Sequence, residues 1–253
     1  MKDTLTGVRL SRRSLARAAV LVAGTLLCPG AARPALARHG WGDGGCFLRG
    51  TRIRTVQGYR HVESLQAGDL LPTRFGGWRP IVAVHRHTAT RNRTSGFWAR
   101  EDRPVRIGRS ALGEGAPRKD LYLTSAHALF IDEVLVPVGN LVNNTSIAFD
   151  DMPGRDHLEY FHVELEDHDV IDADGAACET LLHDVRSDAA VGPGRASARV
   201  RKERCAPLLA FNGGRNELRS RLRSATCFMG DRRNRLDMIR DRLEERGLAA
   251  SKL

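Results

Sequence analysis

Between residues 46 and 180, apolar and polar positions alternate in short runs, and each run is closed by turn-forming residues. "TRIRTV" alternates, "QGYR" turns, and "HVESLQAGDLL" leads into a Gly-Asp turn. "FGGWRPIVAVHRH" reads as a Gly-Gly turn and then a strand, with Ile81, Ala83 and His85 on one side and Val82, Val84 and Arg86 on the other. Residues 88–104 are polar and rich in arginine, the pattern of a loop or a ragged hairpin. "VRIGRSALGEGAPRKDLYLT" predicts two short strands around a Gly/Pro loop, and "ALFIDEVLVPVGNLVNNTSI" a hairpin turning at Asp132-Glu133, with a short turn or helix near Gly139. "EYFHVELEDHDVIDADG" supplies a final strand pair. Short strands separated by turns, with no helical pattern between them, predict an all-β domain built of hairpins and exclude βαβ units.

After Asp188 the pattern changes. "AAVGPGRASARVRK" opens a Gly/Pro/Ala linker over 189–214, and residues 215–249 then place Leu218, Leu222, Leu236, Ile239 and Leu243 at helical spacing. Gly230-Asp231 marks a break, so the extension is two basic amphipathic helices or one bent one. Two readings of it stay open: a solvated tail packing loosely on the domain, or a surface for an anionic membrane or a protein partner.

Charge narrows the partners. The net charge of +10 is carried by the ends: residues 1–37 hold six basic and one acidic side chain, and residues 195–253 sixteen and seven. The middle, 38–194, has eighteen basic against twenty-two acidic, so the strand-rich region is mildly acidic and gives no support to nucleic-acid binding. The N-terminus reads as a signal peptide over 1–37. It has paired Arg12 and Arg13, an apolar run from Ala18 to Leu27, and small residues at Ala35 and Ala37 before a cleavage point. That run is short of the roughly 20 residues that span a bilayer. Ser-Arg-Arg-x-Leu resembles the twin-arginine signal, which implies export of a folded protein from a bacterial cytoplasm into the periplasm or beyond. Residues 38–45 are then a short Gly-rich segment ending in Gly44-Gly45.

Cys46, Cys178, Cys205 and Cys227 lie beyond the signal, with no C-x-x-C and no spacing that fits a metal. His85 and His87 share a strand face without a third ligand, and "DHDVIDADG" fails as a calcium loop, since Val170 and Leu181 fall at its first and twelfth ligand positions. No metal and no cofactor is expected.

Cys46, at the head of the first strand pattern, is open to several readings: a disulfide half, a lipid anchor, a buried packing thiol or a nucleophile. As a nucleophile it could attack the carbonyl of Gly45 through a five-membered ring, at the high effective concentration of a tethered group. Such a reaction needs a proton for the departing amine and a distorted amide. His127 could hold or give the proton at neutral pH, and Thr124, three residues earlier, could hydrogen-bond the same peptide. His127 could equally be a satisfied core histidine.

Three stretches together, "CFLRGTRIRTVQGYRHVESLQAGDLL", the T-x-x-H of "LTSAHALF" and "YFHVELEDHDVIDADG", resemble the Hint domain of Hedgehog proteins and inteins, closest to its bacterial Hint-like group. The resemblance covers about 46–180 and implies a horseshoe-like β fold over 46–188, followed by the helical extension. It implies that Cys46, Thr124 and His127 perform an N-to-S acyl shift at the Gly45–Cys46 bond. His168 matches the late-strand histidine of inteins, and His162 stands where those families often place an aspartate, a substitute base by position. Inteins end in Asn before Cys, Ser or Thr; here "GAACETLLH" offers Glu179 and Thr180, so self-cleavage without splicing is expected. The substrate is then the chain's own N-terminal segment, and the acyl acceptor water or an unidentified nucleophile. The resemblance would also bring Cys178 back toward Cys46, where a disulfide could silence the nucleophile. The competing class is a non-catalytic module that keeps the fold while its helical tail binds a membrane or a partner.

Overall fold

The structure is a computed structural model that describes residues 45–182, 203–211 and 214–250. The signal residues Arg12, Arg13, Ala35 and Ala37 lie outside the described residues, as do most of the region read as a linker and residues 183–188. All described residues belong to one compact unit.

Thirteen strands form antiparallel ladders: β1 (Phe47–Leu48), β2 (Arg52–Thr55), β3 (Gly58–His61), β4 (Leu70–Thr73), β5 (Gly77–Thr90), β6 (Pro104–Ile107), β7 (Leu121–Thr124), β8 (Ala128–Ile131), β9 (Val134–Pro137), β10 (Ile147–Phe149), β11 (His157–Leu165), β12 (Val170–Ala173) and β13 (Ala176–Glu179). The order across the sheet is β10-β6-β7-β1-β11-β5-β4-β12-β13-β8-β9, with β2 and β3 joined on through β12. The all-β expectation therefore holds. β5 is the hinge of the architecture. Its first residues pair with β4, from Gly77↔Thr73 to Pro80↔Leu70, and the rest with β11, from Ile81↔Leu165 to Thr90↔His157. The strand runs through Thr90, three residues into the segment read as loop, because β11 offers partners as far as His157.

The tight hairpins sit where the sequence marks them. Asp132 and Glu133 both take positive φ (49° and 63°), as do Asp174 and Gly175 (51° and 92°). Two consecutive left-handed residues give the turn whose twist matches the strands on either side. The 3-10 turn Val138–Leu141 falls at Gly139 as expected.

The helical extension is two helices, α1 (Gly214–Ala225) and α2 (Arg235–Ala250). α1 carries Leu218 and Leu222 largely exposed, as the solvated-tail reading has it. α2 does not: Leu236, Ile239 and Leu243 are buried in the main hydrophobic core with strand residues such as Leu129, Val136 and Ile147. A capping box starts α2, Asn234 Oδ1 accepting from Asp237 N–H (2.9 Å) and Asp237 Oδ2 from Asn234 N–H (3.0 Å). Asp237 also takes the Arg223 guanidinium through both oxygens, at 2.6 and 3.0 Å, which ties α1 to α2. The linker reading also fails at its end: residues 203–211 dock on the domain, Leu135 N–H donating to Pro207 O and Leu209 N–H to Leu135 O, both at 2.8 Å. Helical spacing alone could not distinguish an apolar stripe facing water from one facing a sheet.

Because α2 is part of the core, Ile239→Ala is expected to destabilise the domain by about 2–4 kcal/mol. Denaturant unfolding read by circular dichroism checks this; a loosely attached helix would leave the midpoint unmoved.

Candidate active site

Gly45, Cys46, Thr124 and His127 meet because β1 pairs with β7, Phe47 lying opposite Leu123. One step beyond that register the two chains exchange bonds at Thr124. Its N–H donates to Cys46 O (3.0 Å), and its hydroxyl accepts from Cys46 N–H at 2.7 Å. Thr124 thus holds the nitrogen of the Gly45–Cys46 peptide. T-x-x-H is a turn: His127 N–H donates to Thr124 O (3.1 Å), and Val138 N–H to His127 O (2.9 Å), which sets the imidazole beside the held peptide.

Gly45 is buried against His127 so closely that a Cβ at this position would lie 1.9 Å from His127 Cα and 2.1 Å from its Cβ. No other residue type fits there without moving backbone. Glycine at this position is a steric requirement of the histidine, and its conformational freedom is secondary.

His127 is wholly buried, its ring 4.4 Å from the Phe47 ring and 5.6 Å from that of His162. Neither ring nitrogen completes a hydrogen bond among the described residues, although the backbones of Gly45 and Glu179 lie close enough to favour the charged ring. Burial pushes its pKa down to about 4, opposed in part by the Glu179 charge. At neutral pH His127 is therefore neutral. The neutral ring can pass a proton on only as it receives one. His162 is also buried, with Nε2 unpaired among the described residues, and burial followed by the charge of His127 holds it well below the ordinary histidine value.

Cys46 is half-buried. Its side chain packs in a second apolar cluster with Leu48, Tyr122, Met152 and Tyr160, while Phe47 faces His127 and the main core. Burial, then the charge of Asp102, pushes the thiol up to about 12. Asp102 was not singled out in the sequence. It lies in the arginine-rich segment where no pattern marks it, and only the fold brings its charge to bear on the sulfur. His87 Nε2 reaches Asp102 Oδ1 at 3.2 Å, and Tyr160 donates its hydroxyl to Asp102 O at 2.7 Å. His85 likewise pairs with Glu164 at 2.6 Å, and no group of three metal-binding side chains occurs among the described residues.

His168 is not brought into the Gly45–Cys46 peptide. Its ring contacts Cys205 and Glu179 instead. The Cys46–Cys178 disulfide is overturned: both thiols are free, Cys178 buried on β13 opposite Leu129 in the main core and Cys46 in the other cluster.

Two outcomes follow from this geometry. Gly45→Ala must displace His127 or the peptide, and is expected to cost about 2–4 kcal/mol of stability, read by thermal unfolding. The unfolded state takes up protons on His127 and His162 below about pH 6.5, whereas the folded state resists down to about pH 4 for His127. Stability is therefore full above pH 6.5 and falls as pH drops from 6.5 toward 4, by about 3 kcal/mol for His127 alone. His127→Gln should flatten this part of the curve of Tm against pH.

A family model described as "Hint domain" matches residues 45–185, more than half of the chain. No curated protein matches. Among solved structures, the chain is similar to the gp41-1 intein, at 13% identity and a TM-score of 0.38 over 53% of this chain and 98% of that one. It is similar also to a DnaB intein from Synechocystis sp. PCC 6803, at 10% and 0.37 over 54% and 99%. A bacterial intein-like domain from Clostridium thermocellum gives 14% and 0.37 over 53% and 97%. With the family model beginning at Gly45, immediately before the cysteine whose peptide Thr124 and His127 hold, the chain belongs to the Hint domain family.

Proposed function

We propose that this chain cleaves its own Gly45–Cys46 peptide bond by an N-to-S acyl shift followed by thioester release, without splicing. The observation that carries the reading is the seat of that peptide. Its nitrogen is held by Thr124 Oγ1 at 2.7 Å, and its glycine is pressed on His127 with no room for a side chain.

Cys46 Sγ attacks the Gly45 carbonyl carbon, and the thiol proton leaves toward the Asp102 carboxylate, the charge that faces the sulfur. The C–N bond breaks as the Cys46 nitrogen takes a proton from one nitrogen of the neutral His127 ring while the other nitrogen takes one up from solvent, and Asp102 gives the thiol proton back to solvent. The net transfer is one proton from sulfur to nitrogen, and the Gly45 acyl group ends on sulfur. Thr124 keeps the nitrogen in place while its geometry changes from planar to tetrahedral. With the resting thiol protonated, base assistance is needed to generate the nucleophile. Water or another nucleophile then takes the acyl group from sulfur, releasing the segment that ends at Gly45. His162, beside His127, is positioned to serve this second step as a base. Thr180 follows Glu179 where an intein would end in Asn, which leaves no residue to cyclise.

The same reading has the chain exported by its Arg12-Arg13 leader, cut after Ala37, and processed outside the cytoplasm, where the released piece is the short Gly-rich segment. A second reading, an interaction module, is favoured by the turn after α1: Phe228 and Met229 are 83% and 78% exposed between arginine-bearing helices, a surface suited to anionic lipid or a protein partner.

Intact mass of the full chain separates the two. Dithiothreitol or hydroxylamine is expected to release a fragment ending at Gly45 from the wild type and none from Cys46→Ala. His127→Gln and Thr124→Val should slow release by about 10²-fold or more. A wild-type chain that stays whole under both reagents would leave only the interaction module.

A further inference from the structure

Cys205 lies outside the Gly45–Cys46 site, on the 203–211 segment that returns to the domain along β9, where Leu208 bridges Leu135. This return sets Cys205 Sγ 3.1 Å from His168 Nδ1. The His168 side chain is fully buried, and its other nitrogen, Nε2, lies 3.4 Å from Glu179 Oε2. Cys205 N–H also donates to Nδ1, at 3.2 Å. A ring nitrogen that accepts a backbone N–H carries a lone pair, so the ring proton sits on Nε2 and points at the carboxylate. That is the tautomer in which an imidazole can take a proton from the neighbouring thiol. Glu179 is itself held: Oε1 accepts from Ala128 N–H at 2.8 Å, and the Arg204 guanidinium lies 3.7 Å from Oε2.

We propose that Cys205, His168 and Glu179 form a second nucleophilic site that accepts an apolar acyl group from a thioester. Cys205 is half-buried and belongs to an apolar cluster with Phe130, Val170, Ala177 and Ala206, which suit an apolar chain. Sγ attacks the thioester carbonyl carbon while its proton passes to His168 Nδ1. The tetrahedral adduct then expels the leaving thiolate, which takes that proton from the imidazolium, so one thioester is exchanged for another without any oxidant or further reactant. Glu179 keeps the ring oriented and stabilises its transient charge. Burial, then the charge of Asp169, pushes the Cys205 thiol up to about 11. The sulfur therefore rests protonated, and its reaction depends on the ring. The charged and titratable groups that face this pair include Asp169, Glu179, Arg204 and the neighbouring His127 and His162.

The site does not depend on cleavage at Cys46, and its test reads Cys205 itself. The full chain is incubated with the phenyl thioester of hexanoic acid, and peptide mass mapping follows the hexanoyl group on Cys205 and on Cys227, the internal control in the turn after α1. Cys205 is expected to acylate about 10²-fold faster than Cys227 at pH 7. Its rate should level off with rising pH well below the range in which a thiol ionises without a base. In His168→Gln the Cys205 rate should fall to that of the control, with Cys227 unchanged. A Cys205 rate no greater than that of Cys227, or one that climbs without a plateau into the thiol range, would overturn the proposal. Both are read on the unmodified chain and decide it whether or not the His168 variant folds.

Discussion

The contact between Gly45 and the backbone of His127 organises everything else at this site. Two main-chain segments about 80 residues apart in the chain approach within a distance that admits no Cβ, and Thr124 closes the gap with one hydrogen bond in each direction. Placing a peptide bond there requires β1 to enter between β7 and β11, where both residues of Phe47–Leu48 pair with β11 and Phe47 pairs with β7 as well. The buried face of the peptide then meets an uncharged imidazole. Its sulfur side meets a half-buried pocket with a carboxylate nearby. The two sides of one peptide are thus given different electrostatic surroundings, the arrangement by which environments assign acid and base roles.

Glu179 links this region to the neighbouring one. Its charge bears on both His127 and His168, while its carboxylate is fastened by the Ala128 amide next to His127 in the chain. Buried polar groups coupled in this way behave as a unit, since losing one partner leaves another uncompensated in a medium of low dielectric. The three buried histidines are accordingly unequal. His168 is supplied with partners on both ring nitrogens, whereas His127 and His162 have unfulfilled ones among the described residues. Groups left polar and unpaired in a core cost stability and persist where chemistry uses them.

The C-terminal part of the chain contributes to the domain in two distinct ways. α2 fills the main core with Leu236, Ile239 and Leu243, and the 203–211 segment extends β9 and delivers Cys205 and Arg204 to the His168–Glu179 pair. α1 and the turn after it keep their apolar side chains toward solvent. One stretch of basic, leucine-bearing sequence therefore holds a core helix and a surface helix side by side, joined through Arg223 and Asp237.

Local physics was legible in the sequence. Alternation marked the strands, Asp132-Glu133 marked a turn, and the order of Cys46, Thr124-x-x-His127 and the late histidine block marked the family. These features depend on periodicity and on backbone freedom, which act over a few residues. What the tertiary structure alone decided depends on long-range burial and charge. It lowered the pKa of His127, raised that of Cys46, brought the charge of Asp102 to bear on the sulfur, and separated Cys46 from Cys178. It moved His168 to Cys205, and it buried one of two similar helices. No short window of sequence carries that information, because desolvation and Coulomb terms are set by whichever distant segments fold against a group.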